Sequence, residues 1–109
     1  MKLAELIDKL ELEIITADSL DREVKGVYIG DLLSNVMAKA EADMIWITIQ
    51  GHQNVVAVAL LTGVTAVIVA EDFQIEEAAI KRAREEGVNL LRSPKTAYQL
   101  ASELAKLGI

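Results

Sequence analysis

The chain contains one histidine, and it stands in the polar tetrad Gly51-His52-Gln53-Asn54, between the β-branched run Met44 to Ile49 and the apolar stretch Val55 to Leu61. Imidazole is the side chain that exchanges protons near neutral pH. A helix that begins just after a strand also turns free backbone N–H groups toward the carboxyl edge of a sheet, where anions bind. Gly51 through Asn54 occupies that place if a helix follows, and Gly30-Asp31, at the end of an earlier β-rich run, has the same geometry. The competing structural reading is that Gly51 makes a turn, Gln53 or Asn54 caps the helix, and His52 is a solvent-facing loop residue. An enzyme reading would use His52 as general base with Asp31 or Asp72 as its partner.

Other chemistries find little support. The absence of cysteine removes disulfides, thiol nucleophiles and thiolate metal ligands. A metal site would need His52 with carboxylates, yet the nearest acids, Asp43 and Glu71, fall at the far ends of their elements. Neither a Gly-x-Gly-x-x-Gly run nor a phosphate loop ending in Lys-Ser or Lys-Thr is present, so no cofactor is expected. Ser34, Ser93 and Ser102 lack the context of an activated nucleophile. Glu71-Asp72 follows a buried run and could act as a ligand base, although acids just ahead of a helix also favour its positive end.

The elements that must position these residues follow from periodicity. Leu3, Leu6, Ile7 and Leu10 predict an opening amphipathic helix. Strands are expected at Leu12 to Thr16, Val24 to Ile29, Met44 to Ile49, Val64 to Ala70 and Val88 to Leu91, with Trp46 and Thr48 on one face and Ile45, Ile47 and Ile49 on the other. Asp31 to Ala40 predicts a helix with Leu32, Leu33, Val36, Met37 and Ala40 inward, and Gln74 to Glu86 one with Ile75, Ala78, Ala79 and Ala83 inward. Ser93-Pro94 reads as an N-cap and first helical position, ahead of Ala97, Leu100, Ala101 and Leu104.

Val55 to Leu61 is apolar on every side and fits strand or helix. The interval from Ile49 to Val64 is long enough for a crossover helix, which needs about a dozen residues. Gly63-Val64 and Gly87-Val88 share a pattern of helix stop and strand start. The segment 53 to 62 is therefore read as a buried helix. The expected fold is α/β, a three-layer sandwich with a mixed, largely parallel sheet of about five strands. One domain is expected over 1–109, with an N-terminal helix at 1–10 and the core at 11–109.

Composition agrees. Apolar residues make up 52% of the chain and aromatics 4%, so Val, Ile, Leu and Ala must build the core. A net charge of -6 argues against nucleic acid as partner. No apolar run approaches the roughly 20 residues of a membrane span, so a cytoplasmic protein without membrane association is expected.

The stretches Asp21-Arg22-Glu23-Val24-Lys25-Gly26-Val27-Tyr28-Ile29-Gly30-Asp31-Leu32-Leu33-Ser34 and Trp46-Ile47-Thr48-Ile49-Gln50-Gly51-His52-Gln53-Asn54 resemble the DRTGG domain family. Its relatives include the N-terminal domain of HPr kinase/phosphorylase and a regulatory segment of some phosphotransacetylases. The resemblance implies a regulatory or binding role without catalysis, tied to energy metabolism or, for small stand-alone members, to hydrogenase systems. The family motif would fall after the central strand, where this chain has His52-Gln53-Asn54. Kinase activity does not transfer, because it resides in a P-loop domain that this chain lacks.

The function expected on these grounds is ligand sensing of a small anion or nucleotide by Gly30, Asp31, Gly51, His52, Gln53 and Asn54. The domain would act as a homodimer or as a subunit of a larger complex. The alternative is an interaction subunit that docks a metabolic enzyme and binds no metabolite.

Overall fold

Strands rich in Val, Ile and Ala need cover on both faces, and the order of elements supplies it. The computed structural model describes residues 1–109. In chain order the elements are α1 (Leu3–Leu10), β1 (Glu13–Thr16), β2 (Gly26–Ile29), α2 (Leu33–Lys39), β3 (Met44–Thr48), α3 (Asn54–Thr62), β4 (Ala66–Val69), α4 (Glu77–Glu86), β5 (Leu90–Arg92) and α5 (Ala97–Lys106). One five-stranded sheet has the order β1-β5-β4-β3-β2. Neighbours from β2 to β5 are parallel, and β1 alone runs antiparallel, beside β5.

Period-two alternation divides the core into two halves. Trp46, Val67, Val69 and Leu90 pack against Val36 of α2, Val55, Val56, Val58 and Ala59 of α3, and Ala79 and Ala83 of α4. Ile45, Ile47, Ala66, Ile68 and Leu91 pack against Leu3, Leu6 and Leu10 of α1 and Leu100 and Leu104 of α5. The three crossover helices thus lie on one face, as crossovers of constant hand require. The first and last helices close the other. The expected mixed, mostly parallel α/β sandwich is the observed one, and 53 to 62 is helical as its spacing predicts. Both echoing glycines, Gly63 at φ 75° and Gly87 at φ 72°, take the left-handed conformation that ends α3 and α4. No helix is long and apolar enough to cross a membrane.

Several local readings need correction. The helix expected from Asp31 begins at Leu33, and Leu32 and Met37 are 67% and 48% exposed instead of facing inward. The reason is position: α2 lies over the edge strand β2, with α3 as its helical neighbour, so half of its apolar stripe is uncovered. Ala78 is likewise exposed, and α4 starts at Glu77 because residues 74 to 76 pack along Gly51, whose carbonyl takes the Glu76 N–H. Ser93 is not an N-cap. Its N–H still bonds to the Val69 carbonyl and it is buried, while Thr96 caps α5 in a capping box with Gln99.

Buried Asn89 ties the amino edge of the sheet together. Its Oδ1 accepts from the Asp18 N–H at 2.7 Å, and its Nδ2 donates to the carbonyls of Ser19 at 3.1 Å and Thr65 at 3.0 Å. Beside it the Arg22 guanidinium donates to the carbonyls of Gly63 and Val64 past the end of α3. Asn89→Ala should lower the unfolding free energy by about 2 kcal/mol in a urea titration, because three backbone groups lose the partner that the buried amide supplies.

Candidate functional site

In a parallel ladder every strand leaves on the same side, so Gly30-Asp31, Ile49 to Asn54, Glu71 to Gln74 and Ser93 to Lys95 are gathered along one rim of the sheet. The two candidate segments meet there. Asp31 Oδ1 accepts from the Thr48 hydroxyl at 2.8 Å and the Ile49 N–H at 2.9 Å, and the Asp31 carbonyl accepts from the Gln50 side-chain amide. The Gly30 carbonyl takes a 2.8 Å bond from the indole N–H of Trp46. Asp31 therefore latches the exit of β2 onto the exit of β3, one step before the tetrad. Its Oδ2 makes none of these bonds.

Gly51 is present for close approach. A Cβ there would run into the carbonyl oxygen of Gln74 and sit 2.8 Å from the Cα of Ile75, and the Gly51 carbonyl accepts from the Glu76 N–H at 3.0 Å. His52 is exposed, but its ring has a structural task. Nδ1 accepts from the Asn54 N–H at 3.1 Å, so His52 caps α3 where Gln53 or Asn54 was expected to do so. In the neutral ring this places the proton on Nε2, which lies 3.8 Å from Glu76 Oε1. The following N–H groups are also engaged, Val55 with the His52 carbonyl and Val56 with that of Gln53. Three N–H groups that could have met an anion are thus satisfied within the chain.

The crevice lined by Gly51, His52, Val55, Val56, Ile75 and Ala79 has no cavity that would admit a water molecule. The side chains of His52, Gln53, Asn54 and Asp31 are exposed on the rim. Neither Asp31 nor Asp72 hydrogen bonds to His52; its acidic neighbour is Glu76, brought there because residues 74 to 76 fold back along Gly51.

Glu71 and Asp72 adopt left-handed backbone at φ 60° and 54°. Their N–H groups bond to the carbonyls of Lys95 and Ser93, strapping the exit of β4 to that of β5. The position ahead of α4 where acids favour the helix dipole falls instead to Glu76 and Glu77. No group of three His, Cys, Asp or Glu side chains gathers as a metal cluster. The acids held below the ordinary carboxylate range lie at the opposite edge: the Ser19 hydroxyl lowers Asp21, and the N-terminal ammonium lowers Glu23.

Fold and rim together define a small α/β sandwich whose exposed polar groups crown the carboxyl edge of a parallel sheet. The chain matches the DRTGG domain model over residues 5–107, and it belongs to that family. No curated protein sequence matches it. A solved structure of similar fold is that of the CBS and DRTGG domains of the regulatory region of Clostridium perfringens pyrophosphatase, in complex with its activator diadenosine tetraphosphate. It superposes with a TM-score of 0.77 at 14% identity, over 94% of this chain and 45% of that one. This chain thus spans less than half the length of that neighbour, and the likeness concerns the fold.

Sequence reasoning missed the latch. The signal was the acid that follows Gly30, but its partners, Thr48 and Ile49, lie on another strand and become neighbours only when β2 pairs with β3. Two substitutions separate the structural tasks. Gly51→Ala should destabilise by about 1–3 kcal/mol, since the new methyl meets backbone that cannot move aside cheaply. His52→Ala should cost only about 1 kcal/mol, the worth of a helix cap. Chemical denaturation of both variants checks the ranking.

Proposed function

We propose that this chain is a non-catalytic regulatory domain that senses a small ligand at the rim formed by Gly30, Asp31, Gly51, His52, Gln53 and Asn54. The observation that carries the reading is the DRTGG match across nearly the whole chain. The fold likeness to a regulatory region crystallised with a nucleotide activator supports it.

The chemistry of the rim favours a nucleotide over a simple anion. The acceptor Oδ2 of Asp31 suits a ribose hydroxyl, whereas a bare phosphate beside that carboxylate would be repelled. The Nε2–H of His52 and the amides of Gln53 and Asn54 are the donors available to phosphate or base. Binding there would bear on the Asp31 latch and so on the β2–β3 junction, which gives ligand and fold a shared element. The ring of His52 argues for recognition over catalysis: one nitrogen is engaged by the chain's own backbone, and the carboxylates proposed to orient it are bonded or placed elsewhere.

A second reading, an interaction subunit that docks a metabolic enzyme, is favoured by the uncovered apolar stripe at α2, where Leu32 and Met37 are exposed. Thermal melts against mononucleotides, diadenosine polyphosphates, acyl phosphates and sugar phosphates decide between the two. A ligand at 100 times its dissociation constant adds about 2.7 kcal/mol of stability. The sensing reading expects a shift with a nucleotide that disappears in His52→Ala; flat melts across the panel would leave docking as the function.

A further inference from the structure

The chain has one phenylalanine, Phe73, and it stands on the carboxyl rim, 45% exposed and part of neither core half. The other aromatic rings are placed differently. Trp46 is closed to solvent, and Tyr28 is half-buried on β2 with its hydroxyl accepting from Asn35. Tyr98 is exposed on α5, which follows β5. Phe73 alone belongs to the segment that touches the Gly51 tetrad.

The backbone around it is fixed at a cost. Glu71 and Asp72 are both left-handed, at φ 60° and 54°, and the Phe73 N–H closes the turn on the Ala70 carbonyl at 3.3 Å. Two successive left-handed residues are the pattern of a type I′ turn, which is easy for Gly or Asn and strained for Glu. Such conformations persist only where the surroundings hold them. Here the Glu71 and Asp72 N–H groups bond to the carbonyls of Lys95 and Ser93, each at 3.0 Å. On the other side Gln74 lies so close to Gly51 that a Cβ there would strike its carbonyl. Phe73 is pinned between these two contacts, one residue from each.

We propose that Phe73 is the stacking platform for the base of a nucleotide bound at the rim, an assignment that rests on the sensing reading given above. Base stacking on an aromatic face needs no particular hydrogen-bond pattern and contributes substantially to nucleotide affinity. Charge decides which part of a nucleotide comes to this end of the rim. Glu71, Asp72, Glu76 and Glu77 all lie within four residues of the ring, and none is paired with a lysine or arginine. A phosphate would be repelled there, whereas a neutral base is not.

Sheet order sets the span. The exit of β4 is two strands from that of β2, about 10 Å at ordinary strand spacing, with the exit of β3 between them. A nucleoside with its base on Phe73 and its ribose at Asp31 Oδ2 lies across the tetrad. Its phosphate is left to the donors of His52, Gln53 and Asn54.

Equilibrium titration of the full chain with adenosine 5′-monophosphate, and with ribose 5-phosphate as the ligand without a base, tests the assignment. The wild type should bind the nucleotide about five- to a hundredfold more tightly, the worth of one stacked base. Phe73→Leu keeps the apolar bulk and removes the aromatic face; it should erase that preference and leave the affinity for ribose 5-phosphate unchanged. Phe73→Trp should retain the preference, with indole emission quenched by the nucleotide and not by ribose 5-phosphate. Tyr98→Ala should behave as wild type. A wild type that binds the nucleotide no better than ribose 5-phosphate, a preference that survives Phe73→Leu, or one lost in Tyr98→Ala would each overturn the assignment. A wild type that binds neither compound also overturns it, while the sensing reading itself falls only if the whole ligand panel leaves the melting temperature unchanged.

Discussion

Burial of β3 and β4 from both sides is the constraint on which the rest of this structure depends. Ile45, Trp46, Ile47 and Thr48 and then Ala66 to Val69 are all closed to solvent. Apolar strands of this kind are stable only between two layers, because an uncovered face would leave each Val or Ile side chain short of about 1.5–3 kcal/mol. The crossover helices α2, α3 and α4 cover one face, and the remaining helices, α1 and α5, must cover the other. With both faces sealed, side chains that meet solvent in groups are left at the rims and on the outer helix surfaces.

That division explains why the candidate site looks as it does. The carboxyl rim is built from backbone exits that need partners, and Asp31, Gly51 and His52 each satisfy one of them: a strand end, a close chain approach and a helix start. Residues proposed to read a ligand are thus also residues that hold β2, β3 and α3 in place. Such overlap suits a domain that signals, since occupancy at the rim and the arrangement of the strand exits share the same bonds.

Much of the fold was legible because its signals are local. The alternation of Trp46 and Thr48 against Ile45 and Ile47 assigns the two core halves correctly, and the spacing from Ile49 to Val64 with Gly63 behind it identifies α3 against its β-branched composition. The errors share a cause. Leu32 and Met37 carry helical periodicity but lie over an edge strand, so pattern predicted burial that position denies. Ser93-Pro94 has the composition of a helix start, yet Ser93 is still bonded to the sheet, and the tertiary ladder outweighed the local preference. At the rim, His52 was visible as a residue type and invisible as a cap, because the bond from the Asn54 N–H depends on a ring orientation that no spacing rule states.

Composition and periodicity by themselves determined the class of fold, the number of strands and the apolar faces, since these follow from which residues must leave water and how often they recur. The resemblance carried by the Asp21 to Ser34 and Trp46 to Asn54 stretches placed the chain in its family. Tertiary structure alone decided which strand lies at each edge, that β1 runs antiparallel, and that Asp31 bonds Thr48 and Ile49 across the sheet. These are contacts between residues distant in sequence, fixed by the joint packing of all five strands, and no single segment contains the information that selects them.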